Sequence, residues 1–135
     1  MSSDVVVEDS VISAFQGLKA KRTVNTIFCR LSDDFNTIVP DFQGTLTHDE
    51  LLERLPRSEA RYVVYDLAYA RSKGDEQRYK ITLISWCPDG VTIKSRMVHS
   101  SGYNTLQNML DGVGLYIQAA DLSDVEYDEL VSRVS

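Results

Sequence analysis

The apolar residues Val11, Ile12, Phe15 and Leu18 recur at the spacing of one helix face. They predict an amphipathic helix that begins near Glu8 or Asp9, with Lys19, Lys21 and Arg22 suited to its partially negative C-terminal end. The period then changes. Val24 to Leu31 and Phe35 to Phe42 form two short strand-like runs, joined by Ser32-Asp33-Asp34, whose side chains favour a hairpin turn. A brief helix is expected from His48 to Leu55, capped by Thr47 with Glu50 three residues on, and stopped by Pro56. Arg61 to Tyr69 and Arg78 to Trp86 read as a longer hairpin around the polar loop 72–76. Val63, Val64, Tyr65, Ile81, Leu83 and Ile84 place apolar groups on both faces of these strands, which calls for helices above and below. After Pro88-Asp89-Gly90 come a long helix over Ile93 to Leu110, a short strand Tyr116 to Ala119, and a final helix from Ser123 to about Arg133 with Val125, Leu130 and Val134 as its apolar positions. This order predicts an α/β (α+β) architecture, a central mixed sheet of five to six strands sandwiched between helices.

On the long helix, Val98, Leu106, Met109, Leu110 and Val113 gather into one stripe that should face the sheet, with Ser95 and Gly102 inside it. Gly102 beside Ser100 and Ser101 predicts a kink there. The opposite side carries Met97, Ser101, Asn104 and Asn108, flanked by Arg96, Ser100 and Gln107, so Met97 should point into solvent. Single exposed apolar side chains are ordinary. The surroundings of this one are not: the chain has 20 Asp and Glu against 14 Lys and Arg, yet Val91 to Leu110 contains no acidic residue. A methionine and an arginine ringed by short polar side chains on a locally basic face have the composition of an interface centre, towards which an acidic partner would be steered.

A length of 135 residues with 43% hydrophobic content suits one domain spanning 1–135. The net charge of -6 argues against a general nucleic-acid binder. Residues 1–8 lack the basic start and apolar length of a signal peptide, and no apolar run is long enough to span a membrane, so a soluble intracellular protein is expected. Cys29 and Cys87 fall in apolar runs and read as small buried hydrophobes. Trp86-Cys87-Pro88-Asp89-Gly90 lacks the second cysteine of a redox pair, and His48 and His99 have no ligand partners at metal spacing. No phosphate loop or nucleophile elbow occurs, so neither an enzyme nor a cofactor is expected. Asp66, inside an apolar strand, is the candidate perturbed carboxyl, expected to bond buried backbone or tyrosine hydroxyls.

Phe15-Gln16-Gly17-Leu18-Lys19, Leu55-Pro56, Arg61-Tyr62-Val63-Val64-Tyr65-Asp66, Trp86-Cys87-Pro88-Asp89, Ile93-Lys94-Ser95-Arg96-Met97 and Ser100-Ser101 stand in the order and at the spacing of the ADF/cofilin family of actin-binding proteins. The chain resembles that family over essentially its whole length. The resemblance implies the ADF-homology (gelsolin-like) fold and a monomeric protein that binds actin monomers and filament sides, promotes severing and depolymerisation, and works in the cytoplasm on the actin cytoskeleton. Lys19-Ala20-Lys21-Arg22 is a candidate aid to nuclear entry. By position, Lys94, Arg96 and Met97, with Ser100, Ser101 and Asn104 on the same helix, match the surface that meets both monomer and filament, and Ser3, Asp4 and Val5 match its N-terminal contact. Arg78, Lys80 and Arg133 match the filament-only surface, and Ser3 matches a regulatory phosphorylation site.

The departures from the family pattern set further expectations. Ser100-Ser101-Gly102-Tyr103 replaces the usual Ser-Ser-Lys-Asp and removes one positive charge, while Gln107-Asn108-Met109 stands where many members carry a basic cluster, so only weak phosphoinositide binding is expected. Asp4 replaces the usual glycine beside Ser3, and the chain ends at Ser135, short of the family's filament-side tail. A sequestering protein with weak filament binding is therefore one alternative. An adaptor that has lost actin binding, as in the glia-maturation-factor and coactosin-like branches, is another.

Overall fold

The computed structural model describes residues 5–134 of the chain. Its elements are β1 (Val6–Val7), α1 (Asp9–Lys21), β2 (Thr26–Leu31), β3 (Thr37–Gly44), α2 (His48–Arg54), β4 (Arg61–Tyr69), β5 (Arg78–Trp86), α3 (Ile93–Met109), β6 (Leu115–Ala119), a 3-10 turn (Leu122–Val125) and α4 (Tyr127–Val134). The six strands form one mixed sheet in the order β1-β3-β2-β4-β5-β6. The inner pairs are antiparallel, whereas β1 joins β3, and β6 joins β5, in parallel.

Period-two alternation on the central strands sorts the core into two layers. Tyr62 and Val64 of β4 face one side with Ile27, Ile38 and Leu83, under Phe15 and Leu18 of α1 and Leu106 and Leu110 at the end of α3. Val63, Tyr65, Leu67 and Tyr69 face the other with Phe28, Ile84 and Trp86, under Leu51 of α2 and Leu130 of α4. Burying each such side chain contributes roughly 1.5–3 kcal/mol, which is why both faces of the sheet carry helices. The capping box at Thr47 forms as expected: the Glu50 N–H donates to its hydroxyl at 3.1 Å, and the Thr47 N–H donates to the Glu50 carboxylate at 2.8 Å.

The final helix departs from expectation. Asp121 and Asp124 cap a 3-10 turn in the capping-box pattern, Glu126 is extended, and α4 starts only at Tyr127. The Val125 carbonyl accepts from His48 Nε2 at 2.8 Å, so it is bonded by α2 across the fold. The two-residue strand β1 had no legible period. It exists because the Val6 N–H finds the Asn36 carbonyl at 2.9 Å and the Glu8 N–H finds that of Ile38 at 3.0 Å.

The buried stripe of α3 also differs from the predicted one. His99, Gly102, Tyr103 and Leu106 are buried, and Met109 is exposed. Tyr103 takes the inner position because its hydroxyl donates to the carbonyls of Leu83 at 3.2 Å and Ile117 at 3.3 Å. At Gly102 the helix continues unbroken, and the glycine serves a close approach: a Cβ there would overlap the Tyr62 hydroxyl and meet Ile38 Cδ1 at 3.1 Å. Among the described residues the Asp66 side chain bonds neither backbone nor a tyrosine. It pairs with Arg22 at 3.4 Å, and its Oδ1 is buried with no hydrogen-bond partner among the described residues. Burial raises its pKa, and the Arg22 charge opposes the rise. Cys29 is buried as expected, but Cys87 is half-exposed, because it lies past the end of β5.

Candidate functional site

The loop from Cys87 to Val91 delivers the chain into α3, and Thr92 caps the helix by accepting from the Ser95 N–H at 3.2 Å. Every α-helix leaves its first N–H groups without internal partners. Here no acidic side chain occupies the first turn, so the helix start keeps its positive end.

Met97 is 69% exposed and stands one turn beyond Ile93, which is 79% exposed. Residues four apart share a helix face, so the two form an apolar pair in solvent. Ser100 and Asn104 extend that face as exposed residues, with Ser101 half-buried at its edge. Lys94 is exposed, and its ammonium lies 5.3 Å from the centre of the Phe35 ring. Phe35, at a left-handed φ of 61° in the β2–β3 turn, thereby brings that hairpin against the start of α3.

Arg96 behaves differently from its neighbours. It is half-buried, and its guanidinium folds back over the loop that precedes the helix. Nη2 donates to the carbonyls of Pro88 at 3.2 Å, Asp89 at 3.4 Å and Val91 at 3.3 Å, while Nη1 lies 3.5 Å from Cys87 Sγ. Arg96, expected beside Met97 on the outward side of the helix, thus turns back, because these carbonyls lie within reach of its fork and engage it.

Behind this surface, His99 is buried, stacked on Tyr62 at 4.1 Å between ring centres, with Nε2 hydrogen-bonded to Ser85 Oγ at 2.9 Å. Burial, reinforced by the Arg96 charge, pushes its pKa down to about 4. His99 is therefore neutral near pH 7 and adds no charge to the face, whose cations are Lys94 and Arg96.

The N-terminal residues divide. Ser3 and Asp4 lie outside the described residues, and Val5 is only 5% exposed, packed in the core layer beneath α1 and α3. The Val5 side chain thus anchors the segment and offers little to a partner. Arg78 and Lys80 stand opposite Tyr69 and Leu67 across the β4–β5 ladder, so they share the sheet face covered by α2 and α4. Arg78 is exposed, whereas the Lys80 stem lies across Gly114, where a Cβ would collide with it. Arg133 is exposed on α4 and pairs with Glu129 at 3.2 Å. The structure therefore groups the α3 residues on one side of the sheet and Arg78, Lys80 and Arg133 on the other. Ile93 was missed from the sequence; an aliphatic residue four before an outward methionine was the available signal.

Among the described residues no group of three or more His, Cys, Asp or Glu could hold a metal ion, and no helix is long and apolar enough to cross a membrane.

The family described as cofilin/tropomyosin-type actin-binding protein matches residues 4–135. The cofilin of Yarrowia lipolytica is 36% identical over 98% of this chain and 88% of its own length. That of Saccharomyces cerevisiae is 34% identical over 98% and 94%. A crystal structure of Streptomyces griseoflavus cofilin superposes with a TM-score of 0.88 at 29% identity, covering 97% of each chain. The Plasmodium berghei actin depolymerization factor 2, at 23% identity and a TM-score of 0.84 over 99% of this chain and 98% of its own, shares the fold. With the helix surface, the six-stranded sheet and the sequence match in agreement, the chain belongs to the family of cofilin/tropomyosin-type actin-binding proteins.

Proposed function

We propose that this protein binds actin through the outward face of α3 and, on filaments, promotes severing and subunit loss by binding alone, with no bond-making step. The observation that carries the reading is the exposed pair Ile93 and Met97 on a helix free of acidic residues, in a chain of net charge -6. An apolar centre flanked by Lys94 and by short polar side chains favours an acidic partner surface with a hydrophobic cleft. Ser100, Ser101 and Asn104 would supply the polar rim, and Arg96 would hold the helix start in position. Ser3 and Asp4 would join this surface from the N-terminus, with Ser3 as the phosphorylation site.

Arg78, Lys80 and Arg133 would form a separate filament-side surface. Two features favour weak filament binding there: Arg133 is already paired with Glu129, and the Lys80 stem is laid across Gly114. The protein would act as a cytoplasmic monomer with weak affinity for phosphoinositides. The deciding experiment sets filament co-sedimentation beside a monomer-binding titration. Binding to both supports the full reading, binding to monomer alone supports sequestration, and binding to neither sinks the assignment.

A further inference from the structure

A cavity of about 440 Å³ opens between the C-terminal end of α2, the β5–α3 loop and the connection from β6 into the 3-10 turn. None of its lining residues belongs to α3 or to the filament-side set. Its floor is apolar: Trp86 is 3% exposed and Leu55 6% exposed. The Trp86 indole N–H already donates to the Pro56 carbonyl at 2.7 Å, so the ring turns only its hydrocarbon surface to the cavity. At the mouth stands Leu122, 43% exposed on the 3-10 turn. The turn that carries it is fixed at its start by the reciprocal hydrogen bonds of Asp121 and Asp124.

The charges around the cavity are Glu53, Asp89 and Asp121 against Arg57. None of the four enters any ion pair found among the described residues. The rim is therefore net negative around a floor that makes no polar demand of its own, the reverse of the basic α3 face. Such a rim repels phosphate-bearing lipids and nucleic acids and attracts cationic side chains.

We propose that this cavity docks an extended segment of a protein partner in which aliphatic side chains are flanked by Lys or Arg. The aliphatic group would enter between Leu122 and Trp86, and the flanking cations would meet Glu53 and Asp89. The site lies apart from the outward side chains of α3 and adjoins the actin surface at the Pro88 and Asp89 carbonyls, which accept from Arg96.

Trp86 is the single tryptophan of the chain, so its fluorescence and its indole N–H resonance report on the cavity floor directly. The probes are three capped peptides, Arg-Leu-Leu-Arg, Glu-Leu-Leu-Glu and Arg-Ser-Ser-Arg. Arg-Leu-Leu-Arg should give a saturable Trp86 response that weakens with added salt, with the other two at least about tenfold weaker, because charge and apolar contact must act together. Leu122→Ser and, separately, Glu53→Gln should each weaken it about fivefold, while filament co-sedimentation stays at the unsubstituted level. Both substituted positions are exposed, so folding should persist. No saturable response, equal binding of Glu-Leu-Leu-Glu or Arg-Ser-Ser-Arg, or unchanged affinity in the variants would overturn the proposal. Lost co-sedimentation in those variants would place the cavity within the actin surface and overturn its separation from it.

Discussion

The hydroxyl of Tyr62 donates a 2.8 Å hydrogen bond to the backbone carbonyl of His99, so a side chain of the central strand reaches the main chain of α3. The two rings also stack, 4.1 Å apart and 9° from parallel. This contact fixes how closely α3 lies on the sheet and hence which of its residues face water.

Gly102→Ala should destabilise the protein. Alanine gains about 1 kcal/mol of helix propensity. Against that, its Cβ would overlap the Tyr62 hydroxyl, an overpacking cost of about 1–3 kcal/mol, and would disturb a hydrogen bond worth about 1 kcal/mol. Urea unfolding should show the loss, and combining the substitution with Tyr62→Phe should recover part of it. Additive effects of the two changes would contradict the contact.

Stability should fall on acidification because of His99. Its folded pKa of about 4 lies below the ordinary value of 6.5. The unfolded chain therefore takes up a proton first, and stability present above about pH 6.5 is lost as the pH falls through 4. Integrated over the shift, the loss is roughly 3 kcal/mol. Urea midpoints at pH 7.5, 5.5 and 4 check this, and in His99→Gln the slope over that window should flatten.

Replacing Ile93 and Met97 together by alanine should leave the unfolding midpoint nearly unchanged, because both side chains are mostly in solvent. If they are the anchors of the actin surface, monomer binding should weaken by about 2 kcal/mol or more. A titration with labelled actin monomers reads this, and undiminished affinity would remove the pair from the interface.

Arg96→Ala should lower both stability and actin affinity, since the guanidinium donates to three loop carbonyls ahead of α3. Hydrogen bonds from a charged donor are worth about 1.5–3 kcal/mol each where buried; here Arg96 is half-exposed, so a total of about 1–3 kcal/mol is expected. Arg96→Lys should rescue little of it, because an ammonium lacks the planar fork. A purely interfacial arginine would leave the unfolding midpoint unmoved.

The elements whose signals are local were legible in the sequence. β4 and β5 run from Arg61 to Tyr69 and from Arg78 to Trp86 as expected, because β-branched and aromatic residues on both faces leave no other period to follow. The Thr47–Glu50 capping box and the outward Met97 were readable for the same reason: each depends on residues within a turn or two. Of the candidate surface, the acid-free stretch and its methionine were visible, while the burial of Val5 and the exposure of Ile93 were not.

What tertiary structure alone decided depends on partners far away along the chain. The place of β1 was set by carbonyls of Asn36 and Ile38, and the break before α4 coincides with His48 bonding the Val125 carbonyl. Tyr103 turned inward because strand carbonyls of Leu83 and Ile117 accept its hydroxyl, which no helix periodicity encodes. Arg96 folded back for the same reason, its partners being made by a loop whose path is known only once the sheet has formed. Periodicity tells which side of an element is apolar; which polar atoms wait on the facing element is a property of the assembled fold.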